Sequence, residues 1–215
     1  MVRKKRVKRE ERQLKWILIM MAILLFFVLL IYFIMQYERE FEYAGLKFNK
    51  IMFDKLILYY TKIPVADPYG NIVAYYNLYL RNDPRKLKNI AINSRILLRK
   101  NVVVTLDPSV LECDDNIIAV ANLGEFLKAI GINAEFATTN KTLANESEIK
   151  YATCDTISGK SIITNKKAEK TEILRDNIAK DKECYSINFK SCEIIKATER
   201  FMIAALAHSR GMDLK

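Results

Sequence analysis

Asp107, Glu112, Asp114 and Asp115 crowd four carboxylates into nine residues, just after the β-branched run Val102 to Leu106. Carboxylate oxygens at that density suit a divalent cation or an acid–base pair. The loop after a strand and before a helix is also where open α/β sheets carry ligands. The same residues serve plain structure: Asp107-Pro108 is a turn, and Asp114 or Asp115 can cap the helix that follows. A second polar group lies in Leu78-Tyr79-Leu80-Arg81-Asn82-Asp83-Pro84-Arg85. Arg81 and Arg85 can flank a polar or anionic partner, or lay their stems along an apolar edge. Arg81, Asp83, Arg85, Asp107 and Asp115 are therefore the candidate polar or partner-binding residues.

Recognisable catalytic machinery is missing. The chain has no G-x-S-x-G elbow, H-E-x-x-H helix, P-loop or dinucleotide fingerprint. Six glycines leave no Gly-rich loop to cradle a phosphate, and Gly124 sits inside a predicted helix as a packing position. The one histidine, His208, falls near the end of the last predicted helix, where a protonated ring suits the negative C-terminal pole. Without a C-x₂-C pair no zinc site is expected, so no catalytic residue, metal or cofactor is assigned.

Cys113, Cys154, Cys184 and Cys192 allow three disulfide pairings. The expected set is Cys184–Cys192 with Cys113–Cys154. The first of these needs the chain to reverse between its cysteines, because one straight strand would hold them about 26 Å apart.

All these residues follow a stretch that decides their surroundings. Residues 16–35 are uncharged, and fourteen of them are Ile, Leu, Phe or Val. Twenty helical residues span about 30 Å, the thickness of a bilayer core. Insertion of those fourteen is favoured by roughly 4 to 8 kcal/mol. Trp16 at one end and Tyr32 and Tyr37 near the other suit the interfacial belts. Residues 1–15 hold eight Lys/Arg against two Asp/Glu, whereas residues 36–50 hold three of each. This bias predicts a cytoplasmic N-terminus and a C-terminal part outside the cell membrane, where disulfides persist. Met35-Gln36-Tyr37-Glu38 offers no small-residue cleavage site, so an uncleaved signal-anchor is expected. Asn140-Lys141-Thr142 and Asn145-Glu146-Ser147 are glycosylation acceptors in a polar stretch expected to be an exposed loop.

The net charge of +10 invites a nucleic-acid reading, but much of it belongs to the tail. Residues 36–215 hold 27 Lys/Arg against 23 Asp/Glu without a clustered basic face, so nucleic acid is not an expected partner. The expected organisation is a basic tail (1–15), a spanning helix (16–37), a connector (38–50) and one extracytoplasmic domain (51–215). Within that domain, Lys55 to Val65 and Asn71 to Leu80 read as a β-hairpin around Asp67-Pro68-Tyr69-Gly70, and Leu87 to Ile92 as a third strand. Tyr59, Tyr60, Tyr69, Tyr75, Tyr76 and Tyr79 cluster there, and any exposed part of the cluster suits a partner. Val102 to Leu106, a helix over 116–130 ended by Gly131, and Ile132 to Thr138 form a βαβ unit. Strands are expected over 149–154, 161–164, 171–174 and 184–189. A last helix over 193–208 has the inward stripe Ile194, Thr198, Phe201, Met202, Ala205 and Leu206. The class is α/β or α+β, a single domain with a mixed β-sheet covered by helices.

Tyr76 to Arg85 (YNLYLRNDPR), the Cys184-x₇-Cys192 spacing and Ala197 to Phe201 (ATERF) resemble single-pass membrane proteins of archaea. No activity is known for them, so the resemblance implies no catalytic residue. The expectation is a membrane-anchored binding or structural protein of the cell envelope, with the lipid bilayer and a protein or envelope polymer as partners. Two alternatives stay open: an extracytoplasmic enzyme or cofactor-binding accessory using Asp107 and Asp115, and a bitopic component of a division or secretion assembly.

Overall fold

The computed structural model describes residues 2–67, 69–176 and 183–214. The chain divides into two compact units, Met1–Phe41 and Glu42–Lys215. The first is dominated by helix α1 (Val2–Arg39). Within it, Lys15–Phe33 is long and apolar enough to cross a membrane, and its large apolar side chains are exposed on all sides. The side chain of Tyr37, expected at an interface, lies outside the described residues, as does Pro68 of the expected turn.

The second unit holds two sheets. The smaller is a meander of β1 (Glu40–Tyr43), β2 (Leu46–Phe53), β3 (Leu56–Ala66) and β4 (Ile72–Leu80), in that order. The expected hairpin is present as β3–β4, with Thr61 opposite Leu78 and Pro64 opposite Tyr75. Its turn is held by Asp67, whose carboxylate accepts from the N–H groups of Tyr69 and Asn71. The expected connector is instead β1 and the first half of β2. Ala44 and Gly45 join those strands with both φ angles positive (55° and 64°), the backbone that matches strand twist in a two-residue hairpin.

The larger sheet has seven strands: β5 (Ala91–Ile92), β6 (Asn101–Leu106), β7 (Asn133–Thr138), β8 (Lys150–Tyr151), β9 (Ser161–Lys167), β10 (Glu172–Asp176) and β11 (Cys184–Phe189). Their spatial order is 5-10-11-9-6-7-8. The β10–β11 pair is antiparallel and the other pairs are parallel. The mixed α/β class is thus as expected, with a second sheet added. Helix α2 (Asn116–Ala129) completes the βαβ unit between β6 and β7, which pair from Asn101–Asn133 to Leu106–Thr138. Its buried residues Ala119, Leu123, Phe126 and Leu127 recur on one helical face. Gly131, at φ 78°, follows its end. Gly124 is a packing position: a Cβ there would lie 2.8 Å from Cζ of Phe136 on β7.

Several expectations change. Leu87 to Ile92 is not a third meander strand. The Asp83 turn runs on into a short 3₁₀ segment, Lys86–Asn89, and only Ala91 and Ile92 join a strand, in the larger sheet beside β10. The strand expected over 149–154 shrinks to β8. The sequon stretch is helical, as α3 (Lys141–Ser147), because the Oδ1 of Asn140 caps it by accepting from the N–H groups of Thr142 and Leu143. Replacing Asn140 with Ala removes that cap. The expected loss is about 1 kcal/mol of stability whether or not the side chain carries sugar, readable by denaturant unfolding.

Helix α4 (Ile194–Ser209) has fourteen buried residues, far more than one inward stripe. It packs on β10 and β11 with one side and is hydrogen-bonded to the meander with the other, so its whole circumference is covered. His208 is buried with it, its Nδ1 accepting from Ile96 N–H at 2.8 Å. Burial lowers its pKa, so the ring is kept neutral and not protonated for the helix dipole.

The disulfides pair Cys113 with Cys192 and Cys154 with Cys184, with Cα separations of 5.4 and 5.9 Å. The expected pairing is overturned because β11 is a straight strand from Cys184 to Phe189, which carries Cys192 to the opposite end. There Cys192, in a left-handed turn (φ 60°) at the start of α4, meets Cys113 before α2.

Candidate functional site

The polar residues picked out by sequence fall into two places: the loop after β4, whose Arg81 meets Asp115, and the end of β6, where Asp107 lies. Arg81 and Asp83 follow β4, and their loop is held by Glu199 from the middle of α4. One Glu199 carboxylate oxygen accepts from Arg81 N–H. The other accepts from Asn82 N–H and Nδ2, at 3.1 and 2.8 Å. Glu199 is 2% exposed, and burial pushes its pKa up to about 7 against the three N–H donors, which pull it down. Beside it, the fully buried Arg200 donates from Nε to Ile90 O and from a terminal nitrogen to the Tyr43 hydroxyl at 2.8 Å. The YNLYLRNDPR and ATERF stretches therefore meet in space, and their contact joins the meander to α4.

The arginines expected to face a partner are engaged within the molecule. Arg85 forks onto its neighbour Asp83, with nitrogen–oxygen distances of 3.0 and 2.7 Å. Burial raises the Asp83 pKa, but the hydrogen bonds and charge of Arg85 outweigh it and hold the carboxyl below its usual range. Arg81 reaches Asp115 at 3.4 Å in a pair about half exposed. Asp115 sits at the cap position of α2 without making a capping hydrogen bond, because its carboxylate faces Arg81.

Asp107 follows β6, where the chain order of the large sheet divides: β7 lies to one side and β9 to the other. This is the location at which open α/β sheets bind ligands. Its Oδ1 accepts from the N–H and hydroxyl of Ser109 (3.0 and 2.6 Å), and its Oδ2 from the Thr139 hydroxyl (3.2 Å). Burial raises its pKa, but these bonds, with the nearby charge of Lys166, hold it low. The carboxylate caps the 3₁₀ segment Pro108–Glu112. The expected acidic cluster is dispersed: Glu112 pairs with Lys167 at 2.8 Å, and Asp115 points to Arg81. Among the described residues no three His, Cys, Asp or Glu side chains converge as a metal site. Next to Leu106 in the sheet, Asn165 is 1% exposed, and its amide has no hydrogen-bond partner among the described residues. The buried polar residues Glu199, Arg200 and Asn165 thus escaped the sequence reading. Glu199 and Arg200 had a signal, since Glu-Arg interrupts a mostly apolar helix. Asn165 had none, because a polar residue in a strand is ordinarily exposed.

A cavity of about 350 Å³ lies between the 3₁₀ segment and α2, walled by Leu111, Ile117, Val120 and Phe136. Its one amide, Asn116, already donates to Val110 O, so it lacks the convergent polar groups that orient a specific ligand.

The meander offers a different kind of site. Side chains alternate between its faces, and register assigns them. Leu46, Phe48, Ile63, Leu78 and Leu80 share the buried face, with Tyr59 and Tyr76 half-buried among them. The other face carries Ile51, Phe53, Leu56, Leu58, Tyr60, Tyr79, Pro64 and Tyr75, interrupted by Asn49 and the Lys62–Asn77 pair. Tyr75 is 63% exposed and Tyr79 46%, and the Tyr60 and Tyr79 rings lie 5.8 Å apart. Such a face holds more apolar and aromatic residues than a sheet face in water ordinarily does. β4 is also the outermost strand, so its backbone edge is unpaired within the sheet. The tyrosine cluster is thereby sorted: Tyr59 and Tyr76 serve packing, Tyr69 is exposed at the turn, and Tyr60, Tyr75 and Tyr79 form an outward patch. Comparison with protein families, curated proteins and solved structures finds no match to this chain.

Proposed function

We propose that the protein is a single-pass extracytoplasmic binding protein of the cell envelope, and that the Tyr60–Tyr75–Tyr79 face of its meander docks a protein or envelope polymer. Three features support the topology: the apolar helix over Lys15–Phe33, the basic residues before it, and four cysteines all held in disulfides. The outward aromatic face carries the binding reading. Tyrosine gives a large contact area with a polar tip and few rotatable bonds, which suits recognition. The arginine–carboxylate pairs do not contribute, because each is closed on itself.

A photo-crosslinking residue in place of Tyr79, in intact cells, tests this. It is expected to trap a discrete partner, and Tyr75→Asp is expected to abolish the adduct while the protein still reaches the membrane. Protease added to intact cells should remove residues 42–215. Survival of that part, or a Tyr79 probe that traps nothing, overturns the reading.

A further inference from the structure

The tip of the β2–β3 hairpin is apolar on both faces. Met52 and Ile57 pair on one face, and Phe53 and Leu56 on the other. They are 76%, 41%, 68% and 57% exposed, so nothing among the described residues covers either side. This differs from the tyrosine patch, which is one-sided. An edge or face that docks on a folded partner needs one apolar side, whereas a tip that is apolar all round suits a medium that surrounds it. We propose that this tip inserts into the interfacial layer of an anionic lipid bilayer, a reading that rests on the membrane-anchored topology proposed above.

Charge favours lipid as the occupant. Between Leu46 and Lys62 the hairpin carries Lys47, Lys50, Lys55 and Lys62 against the single acid Asp54. Lysines around an apolar tip match anionic headgroups, and their stems reach polar depth while the neighbouring side chains sit among acyl chains. A polar Asp54-Lys55 turn at the extremity limits insertion to the interface and prevents deeper burial.

The test uses the full chain in phosphatidylcholine–phosphatidylglycerol vesicles. Trp16, the only tryptophan, is replaced with Phe, and single tryptophans are introduced as Phe53→Trp, Ile57→Trp or Tyr75→Trp. The tip probes on both faces are expected to emit to the blue and lose intensity with lipids brominated near the headgroup end of the acyl chain. Tyr75→Trp, at the far end of the meander, is expected to keep a water-like spectrum. Unquenched tip probes, quenching on one face only, or equal quenching of Tyr75→Trp overturns the proposal. So does a tip signal that varies with protein density but ignores bromine, which marks a second copy as the occupant. Protease digestion of the same vesicles reports the topology separately: an accessible domain with an unquenched tip removes lipid insertion and leaves the anchored binding reading standing.

Discussion

Glu199→Ala is expected to lower the stability of the domain by about 3–5 kcal/mol, the range for removing one partner from a buried charged network. The substitution strands Arg81 N–H, Asn82 N–H and Asn82 Nδ2, which the carboxylate now satisfies. Each unpaired buried donor costs about 1–3 kcal/mol, reduced wherever water can reach the loop. The same residue sets a pH dependence. Its pKa is raised from 4.5 to about 7 by burial, so over that interval the folded chain holds a proton that the unfolded chain releases. Its contribution is fully present below about pH 4.5 and is lost as pH rises toward 7, on the order of 3 kcal/mol. Glu199→Gln, neutral throughout, flattens that slope. Urea unfolding of the full chain in detergent micelles at about pH 5 and about pH 8 reads both effects. An unchanged slope in Glu199→Gln shows that another group is titrating.

Removing the Cys113–Cys192 bridge by paired serine substitution is expected to cost about 4–5 kcal/mol on the chain-entropy model, because it closes a loop with a sequence separation of 79. The Cys154–Cys184 bridge, with a separation of 30, is worth about 3–4 kcal/mol on the same basis. The longer bridge also has the wider structural consequence. It fastens the segment before α2 to the left-handed turn that starts α4, so its loss loosens the helix that both sheets share. Peptide mapping without reduction checks the connectivity first. A Cys184–Cys192 peptide would contradict the structure, because those residues flank a straight, fully buried strand. The unfolding midpoints of the two serine pairs then rank the bridges.

Much of the scaffold was legible because it rests on local pattern. The β3–β4 hairpin follows from its turn residues and β-rich flanks. The β6–α2–β7 unit follows from a change of apolar period closed by Gly131. What failed was local pattern overruled by neighbours. Leu87 to Ile92 looks like a strand, but the Asp83 turn winds its first half into a 3₁₀ segment. The polar run after Asn140 looks like a loop, yet one amide supplies the cap that a short helix needs. The disulfide expectation followed short sequence distance, whereas the pairing follows which ends of β11 and α4 the fold brings together.

The candidate sites show the same division. Charge and hydropathy along the chain were enough to mark an apolar span, its basic flank and a domain rich in tyrosine, because these are sums over neighbouring residues. Sequence could not say that Arg81, Asp83, Asp107 and Asp115 each have their own partner, since Asp115 and Arg81 are far apart in the chain and meet only when the fold brings the start of α2 to the loop after β4. It could not say which tyrosines face outward, because one step of register exchanges the two faces of a strand. Nor could it place a carboxylate inside an apolar helix against a loop more than a hundred residues away. Those are decisions of packing: each depends on which surfaces close over one another, and that is a property of the whole fold.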